Sequence, residues 1–100
     1  MEIRDRVAIV TGSSRGIGRA IAEAILYEDG AAVINSNRSY EEGYELAERP
    51  ASEGKRAHYI QADVSDKGQA RRLFEETMQR YGRLDILVNN AGIYLEGRGR

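Results

Sequence analysis

The sequence has no cysteine and no tryptophan, a single proline, one histidine, and no excess of either charge. Without cysteine there is no disulfide framework, no thiolate metal site and no Cys nucleophile. Lys+Arg number 15 against 16 Asp+Glu, a net charge of −1. Nonspecific nucleic-acid binding needs a basic surplus facing the phosphates, and none exists here. No apolar run approaches the roughly 20 residues of a membrane span. The N-terminal stretch Met1-Glu2-Ile3-Arg4-Asp5-Arg6 is charged and leads into no signal-type apolar core. These absences predict a cytoplasmic, soluble chain with neither nucleic acid nor membrane as partner. At 100 residues, 41% hydrophobic and 31% charged, it has the length of one small domain or half of a larger one.

What is present is strong alternation of two periods. Val7-Ala8-Ile9-Val10 is a continuous apolar run of strand length. Gly12-Ser13-Ser14-Arg15-Gly16 breaks it, and apolar residues then fall at 17, 20, 21, 24 and 25, one helical face. Asp29-Gly30 closes that helix with a C-terminal glycine. Ala31-Ala32-Val33-Ile34 opens a second strand. Residues 40–53 have helical spacing, which Pro50 is expected to cut short. A third strand falls at 57–62. Ser65-Asp66 supplies an N-cap for a helix whose inner face is Ala70, Leu73, Phe74, Thr77, Met78 and Tyr81, ending before Gly82. The fourth strand covers 84–89. Strand–helix alternation at this spacing predicts an α/β fold: parallel strands, right-handed crossovers and helices on both faces.

Two stretches carry chemistry. Thr11-Gly12-Ser13-Ser14-Arg15-Gly16-Ile17-Gly18 joins the first strand to the first helix. Its glycines permit a sharp turn and a close approach by a phosphate, and the helix N-terminus offers N–H groups to the anion. The spacing is G-x-x-x-G-x-G, not G-x-G-x-x-G, and no Gly-Lys-Ser/Thr closes it as in a P-loop. Asn89-Asn90-Ala91-Gly92 ends the fourth strand on the same sheet edge, where open α/β folds bind ligands. His58 reads as a half-exposed strand residue. Arg71-Arg72 and Glu75-Glu76 read as a solvated helix face.

Both stretches, with Asp63-Val64 and the run Leu84-Asp85-Ile86-Leu87-Val88 before Asn89, resemble the N-terminal part of the short-chain dehydrogenase/reductase family, in its 3-oxoacyl-carrier-protein reductase and glucose dehydrogenase branch. The resemblance covers residues 5–94. It implies a partial Rossmann fold with strand order 3-2-1-4 and an oxidoreductase acting on a carbonyl/alcohol pair. It further implies that Gly12, Ser13, Ser14, Arg15, Gly16, Ile17, Gly18, Asp63, Val64, Asn90, Ala91 and Gly92 lie along a nicotinamide dinucleotide. Asp63 would accept from the adenine amino group, or alternatively cap the helix beginning near Ser65. Asn90 would contact the cofactor while Asn89 holds the sheet.

An acidic residue about 20 positions past the last glycine bonds the 2′-hydroxyl of NAD. Here the second strand runs out through Asn35-Ser36-Asn37-Arg38-Ser39, with no carboxylate before Glu41. Arg38 and Arg15 suit a 2′-phosphate instead, so NADP(H) is expected ahead of NAD.

The family's Tyr-x-x-x-Lys pair and its upstream serine are missing: each tyrosine, at 27, 40, 44, 59, 81 and 94, lacks a lysine four residues on. No catalytic residue or metal ligand is assigned. Residues 1–100 therefore read as one truncated dinucleotide-binding domain, the cofactor-binding half of an NADP(H)-dependent oxidoreductase. The alternative is a catalytically inert nucleotide-binding or interaction module. In the resembled fold a fifth strand covers the fourth, so self-association through an exposed fourth strand is expected.

Overall fold

The computed structural model describes residues 2–90. Four parallel strands, β1 (Val7–Val10), β2 (Ala31–Ser36), β3 (Arg56–Gln61) and β4 (Ile86–Val88), form one sheet in the order 3-2-1-4. Between them run α1 (Gly16–Tyr27), α2 (Tyr40–Ser52) and α3 (Lys67–Tyr81). The expected topology is the observed one.

Side-chain alternation along β1 and β2 sorts the core. Ala8, Val10, Ala32 and Ile34 face the side covered by Ala22, Ile25 and Leu26 of α1 and Ala47 of α2. Ile9 and Val33 face the other side with Ile60, Ala62 and Leu73 of α3. Burial on both faces explains why these strands are continuous apolar runs. The alanines on the first face let two helices sit close to the sheet.

Several local expectations need correction. Helix α1 buries Gly18, Ala22, Ile25 and Leu26, while Ile17 is 73% exposed. The stripe is displaced because Gly18 makes the closest approach to the preceding loop and turns Ile17 outward. That helix does not use glycine for its left-handed closing residue. Asp29 takes φ 65°, and the amides of Asp29 and Gly30 return to the carbonyls of Leu26 and Ile25. Gly30 is needed for space: a Cβ there would lie 2.9 Å from methyls of Ile25 and Ile3. Pro50 does not shorten α2, which continues to Ser52. Proline in the last turn removes only one backbone bond. Its carbonyl then accepts from Glu53 and Lys55, which ends the helix. Phe74 is 47% exposed, at the margin of a stripe centred on buried Leu73 and Thr77. Arg72 is not simply solvated, since it donates to the Gln61 carbonyl at 2.7 Å. Strand limits shift by a residue in β3, and β4 is shorter than the expected 84–89. Beyond Val88 the chain leaves the ladder to grip the glycine loop.

Strand β4 is half-buried at Ile86 and Val88, with Leu87 62% exposed, and it pairs only with β1 among the described residues. Its start is pinned by Asp85, whose carboxylate accepts from the Val7 amide at 2.9 Å and from the forked guanidinium of Arg83 at 2.9 and 2.7 Å. Arg83 first, then the Val7 amide, holds the Asp85 carboxyl below the usual carboxylate range. A depressed carboxylate contributes stability above its unfolded pKa, and that contribution is lost as pH falls through the folded value. We therefore expect urea resistance to fall on acidification below about pH 4. Asp85→Asn, which keeps an acceptor for Val7 but loses the charge, flattens that fall. Equal acid sensitivity in both proteins would show that Asp85 is not the group responsible.

Candidate functional site

Parallel strands place every loop after a strand at one sheet edge, and the chemistry-bearing stretches meet there. Between β1 and α1 the backbone turns through Gly12 (φ 60°) and Gly16 (φ 64°), a region that favours glycine. A Cβ on Gly18 would lie 2.5 Å from the Gly12 carbonyl oxygen and 2.8 Å from Asn90 Nδ2, so helix and loop touch only because this side chain is missing. A Cβ on Gly16 would meet nothing within 4 Å, leaving the loop open toward solvent. Ser13 is fully buried, and its hydroxyl donates to the Val10 carbonyl at 2.6 Å. Ser14 is also buried.

The N-terminus of α1 differs from the other two. Arg15 caps it without a side-chain hydrogen bond, and its first turn contains no acid. Helix α2 carries Glu41 and Glu42 in its first turn, and the Asp66 carboxylate of α3 accepts from the Gln69 amide. Among the described residues, α1 alone leaves its first N–H groups and positive dipole end without an acidic partner of its own, an arrangement suited to a phosphate.

Asn35 holds the loop from one side, and sequence reasoning did not single it out. Its side chain, 1% exposed, donates to the carbonyls of Ile60 and Ala62 at 3.1 and 3.2 Å. The side-chain oxygen accepts from Gly12 N–H at 3.3 Å, and its backbone amide donates to Ser13 Oγ at 2.9 Å. The available signal was an amide ending a strand apolar on both faces, where burial demands partners. From the other side, Asn90 donates its backbone N–H to Thr11 Oγ1 at 2.9 Å and its Nδ2 to the Gly12 carbonyl at 3.1 Å. Thr11 Oγ1 lies 3.4 Å from Asn89 Oδ1 and 3.3 Å from the Val88 carbonyl. Both asparagines thus meet Thr11, and Asn90 is itself part of what shapes the loop. Ala91 and Gly92 lie outside the described residues.

Beyond β2, Arg15, Arg38, Ser39, Tyr40, Glu41 and Glu42 line an open cleft of 630 Å³. Arg15 donates to Ser39 Oγ at 3.0 Å and to Glu42 Oε1 at 2.6 Å. Gln61 steadies the turn by donating to the Asn37 carbonyl at 3.0 Å. Asp63 accepts from the hydroxyl and amide of Ser65 at 2.6 and 3.0 Å, which hold its carboxyl below the usual range, with a smaller contribution from Arg38. Asp63 therefore closes the turn before α3, while Asp66 is the cap. Val64 packs against the α3 side of the core. A second cleft of 380 Å³ shares Glu42 with the first and runs between α1 and α2 to Leu26, Tyr27 and Pro50.

A parallel sheet in this order, with an uncapped helix behind a glycine turn, defines a Rossmann-like nucleotide-binding fold. The family model for short chain dehydrogenase matches residues 6–99, and the chain belongs to that family. It is 48% identical over 94 residues to an uncharacterized oxidoreductase of Methylorubrum extorquens, covering 93% of this chain and 38% of that protein. A protein of Streptomyces violaceoruber, named as a ketoacyl reductase of the granaticin polyketide synthase, is 49% identical over 86 residues, covering 86% and 33%. Human 15-hydroxyprostaglandin dehydrogenase [NAD(+)] is 43% identical over 95 residues, covering 93% and 35%. The chain thus spans 33–38% of the length of these relatives.

Asn35→Ala strips partners from two carbonyls and one amide at a buried point. We expect a loss of about 2–4 kcal/mol in urea unfolding, since each orphaned buried group costs about 1–3 kcal/mol before relaxation or water entry. A change under about 0.5 kcal/mol, the size of an ordinary surface substitution, would show that Asn35 is dispensable.

Proposed function

We propose that residues 1–100 form a single dinucleotide-binding domain, the cofactor-binding part of an NADP(H)-dependent oxidoreductase acting on a carbonyl/alcohol pair. What carries the reading is the juxtaposition of the uncapped α1 N-terminus behind its glycine turn with a cleft flanked by Arg15 and Arg38. Family membership supports a nicotinamide dinucleotide, and the ketoacyl reductase among the relatives supports carbonyl chemistry. When bound, the nicotinamide supplies or accepts the hydride.

In this reading the backbone of residues 12–18 receives the pyrophosphate: Gly12 and Gly16 make the turn, Gly18 brings the helix close, and Ser13 braces the loop. Ser14 and Ile17 border the path. Arg38 faces the 2′-phosphate, and Arg15 reaches it by turning from Glu42. Asp63 and Val64 border the adenine, with Asp63 accepting from its amino group through lone pairs that Ser65 leaves available. Asn90, with Ala91 and Gly92, lines the way toward the nicotinamide. NAD(H) is the second reading, favoured by the relative whose name specifies NAD(+). A cytoplasmic setting belongs to the same proposal. So does self-association through the outer edge of β4, supported by exposed Leu87 beside a ladder with no second partner among the described residues.

Calorimetry with NADPH and NADH tests the cofactor. We expect NADPH to bind more tightly and Arg38→Asp to reverse the order, since a charge-assisted bond is worth roughly 1.5–3 kcal/mol. Tighter NADH binding by the unaltered chain would overturn the NADP(H) assignment. For the edge, sedimentation over a range of concentrations should show mass action. A concentration-independent monomer would remove self-association.

A further inference from the structure

The cleft beside β2 is balanced in charge. Arg15 and Arg38 are offset by Glu41 and Glu42, which line the same space. A cleft committed to a dianionic phosphate would present a net positive charge; this one does not. Arg15 is moreover engaged. Its Nη2 is 2.6 Å from Glu42 Oε1, and the same nitrogen donates to Ser39 Oγ. The ion pair crosses from the start of α1 to the first turn of α2, with side chains 71% and 59% exposed. An exposed pair of this kind is weak and opens readily.

We propose that Glu42 is a specificity-determining residue that holds Arg15 away from the 2′-substituent of the adenosine ribose. The inference rests on the dinucleotide reading above. With Arg15 parked on Glu42, the cleft accepts a 2′-hydroxyl at no electrostatic cost. A 2′-phosphate must draw the guanidinium off the carboxylate and then lie near that freed negative charge. Glu42 thus narrows the preference that Arg15 and Arg38 would otherwise create. Arg38, whose one interaction given above is the charge it exerts on Asp63, is not engaged as Arg15 is, and it is the arginine that meets the phosphate first. The pairing also explains how two arginines and a pair of carboxylates share one cleft: they set the balance between two cofactors.

The test uses 2′,5′-ADP and 5′-AMP, which differ by the phosphate alone and need only the adenosine side of the site. Both are titrated calorimetrically into the 100-residue chain, its Glu42→Gln variant, and the same pair in an Arg15→Gln background, with circular dichroism confirming the fold. We expect Glu42→Gln to tighten 2′,5′-ADP binding about three- to fivefold, as an exposed ion pair allows. Binding of 5′-AMP should stay unchanged, and the gain should vanish in the Arg15→Gln background. Equal or weaker 2′,5′-ADP binding by Glu42→Gln would overturn the role of Glu42 while leaving the dinucleotide reading intact. So would a gain that persists without Arg15, which would mark a general charge effect. Failure of the unaltered chain to bind either nucleotide would remove the dinucleotide reading, and this inference with it.

Discussion

The buried side chain of Asn35 touches three parts of the chain at once. It donates to Ile60 and Ala62 on the β3 side and accepts from Gly12 in the turn after β1, from a position inside β2. Taking an amide out of water is costly unless every polar group finds a partner. Here its carbonyl and its amino group are both bonded, so the geometry that satisfies it is also the geometry that fixes the site. The path of residues 12 and 13 between the ends of β1 and β3 follows from that one constraint.

Asn90 supplies the opposing anchor at β4. Gly12 is therefore gripped from both sides, and the turn holds its shape through contacts that do not use the N–H groups of α1. Helices α2 and α3 complement their own N-termini with acids, whereas α1 has none. A helix end left without its cap forgoes roughly 1 kcal/mol. A rigid turn around an uncomplemented dipole is preorganised for an anion, because little ordering remains when the ligand arrives.

Much of this was legible in the residues. Continuous apolar runs at Val7–Val10 and Ala31–Ile34 give buried parallel strands, and the helical periods between them give the crossovers. The strand order follows from the resemblance carried by the glycine turn and the Asn89-Asn90 stretch. What escaped depends on three-dimensional neighbours. Ile17 fits a helical face by period, but only the contact of Gly18 with Gly12 shows which way α1 is turned. Pro50 breaks a helix by propensity, yet it costs little where the helix is about to end. Asn35 looks like an ordinary strand-terminal amide until the ends of β1 and β3 are seen around it. The pairing of Arg15 with Glu42 spans 27 positions, and no local pattern announces it.

The central claim is that the turn between β1 and α1, held by Asn35 and Asn90, is where a nucleotide lands. Amide NMR of the uniformly nitrogen-15-labelled chain, titrated with NADPH, tests this most directly. The largest shifts are expected at the amides of Gly12, Gly16, Ile17, Gly18 and Arg38, with little change at Tyr27 or Glu53 in the cleft between α1 and α2. Shifts centred on that second cleft, with the glycine turn unmoved, would contradict it.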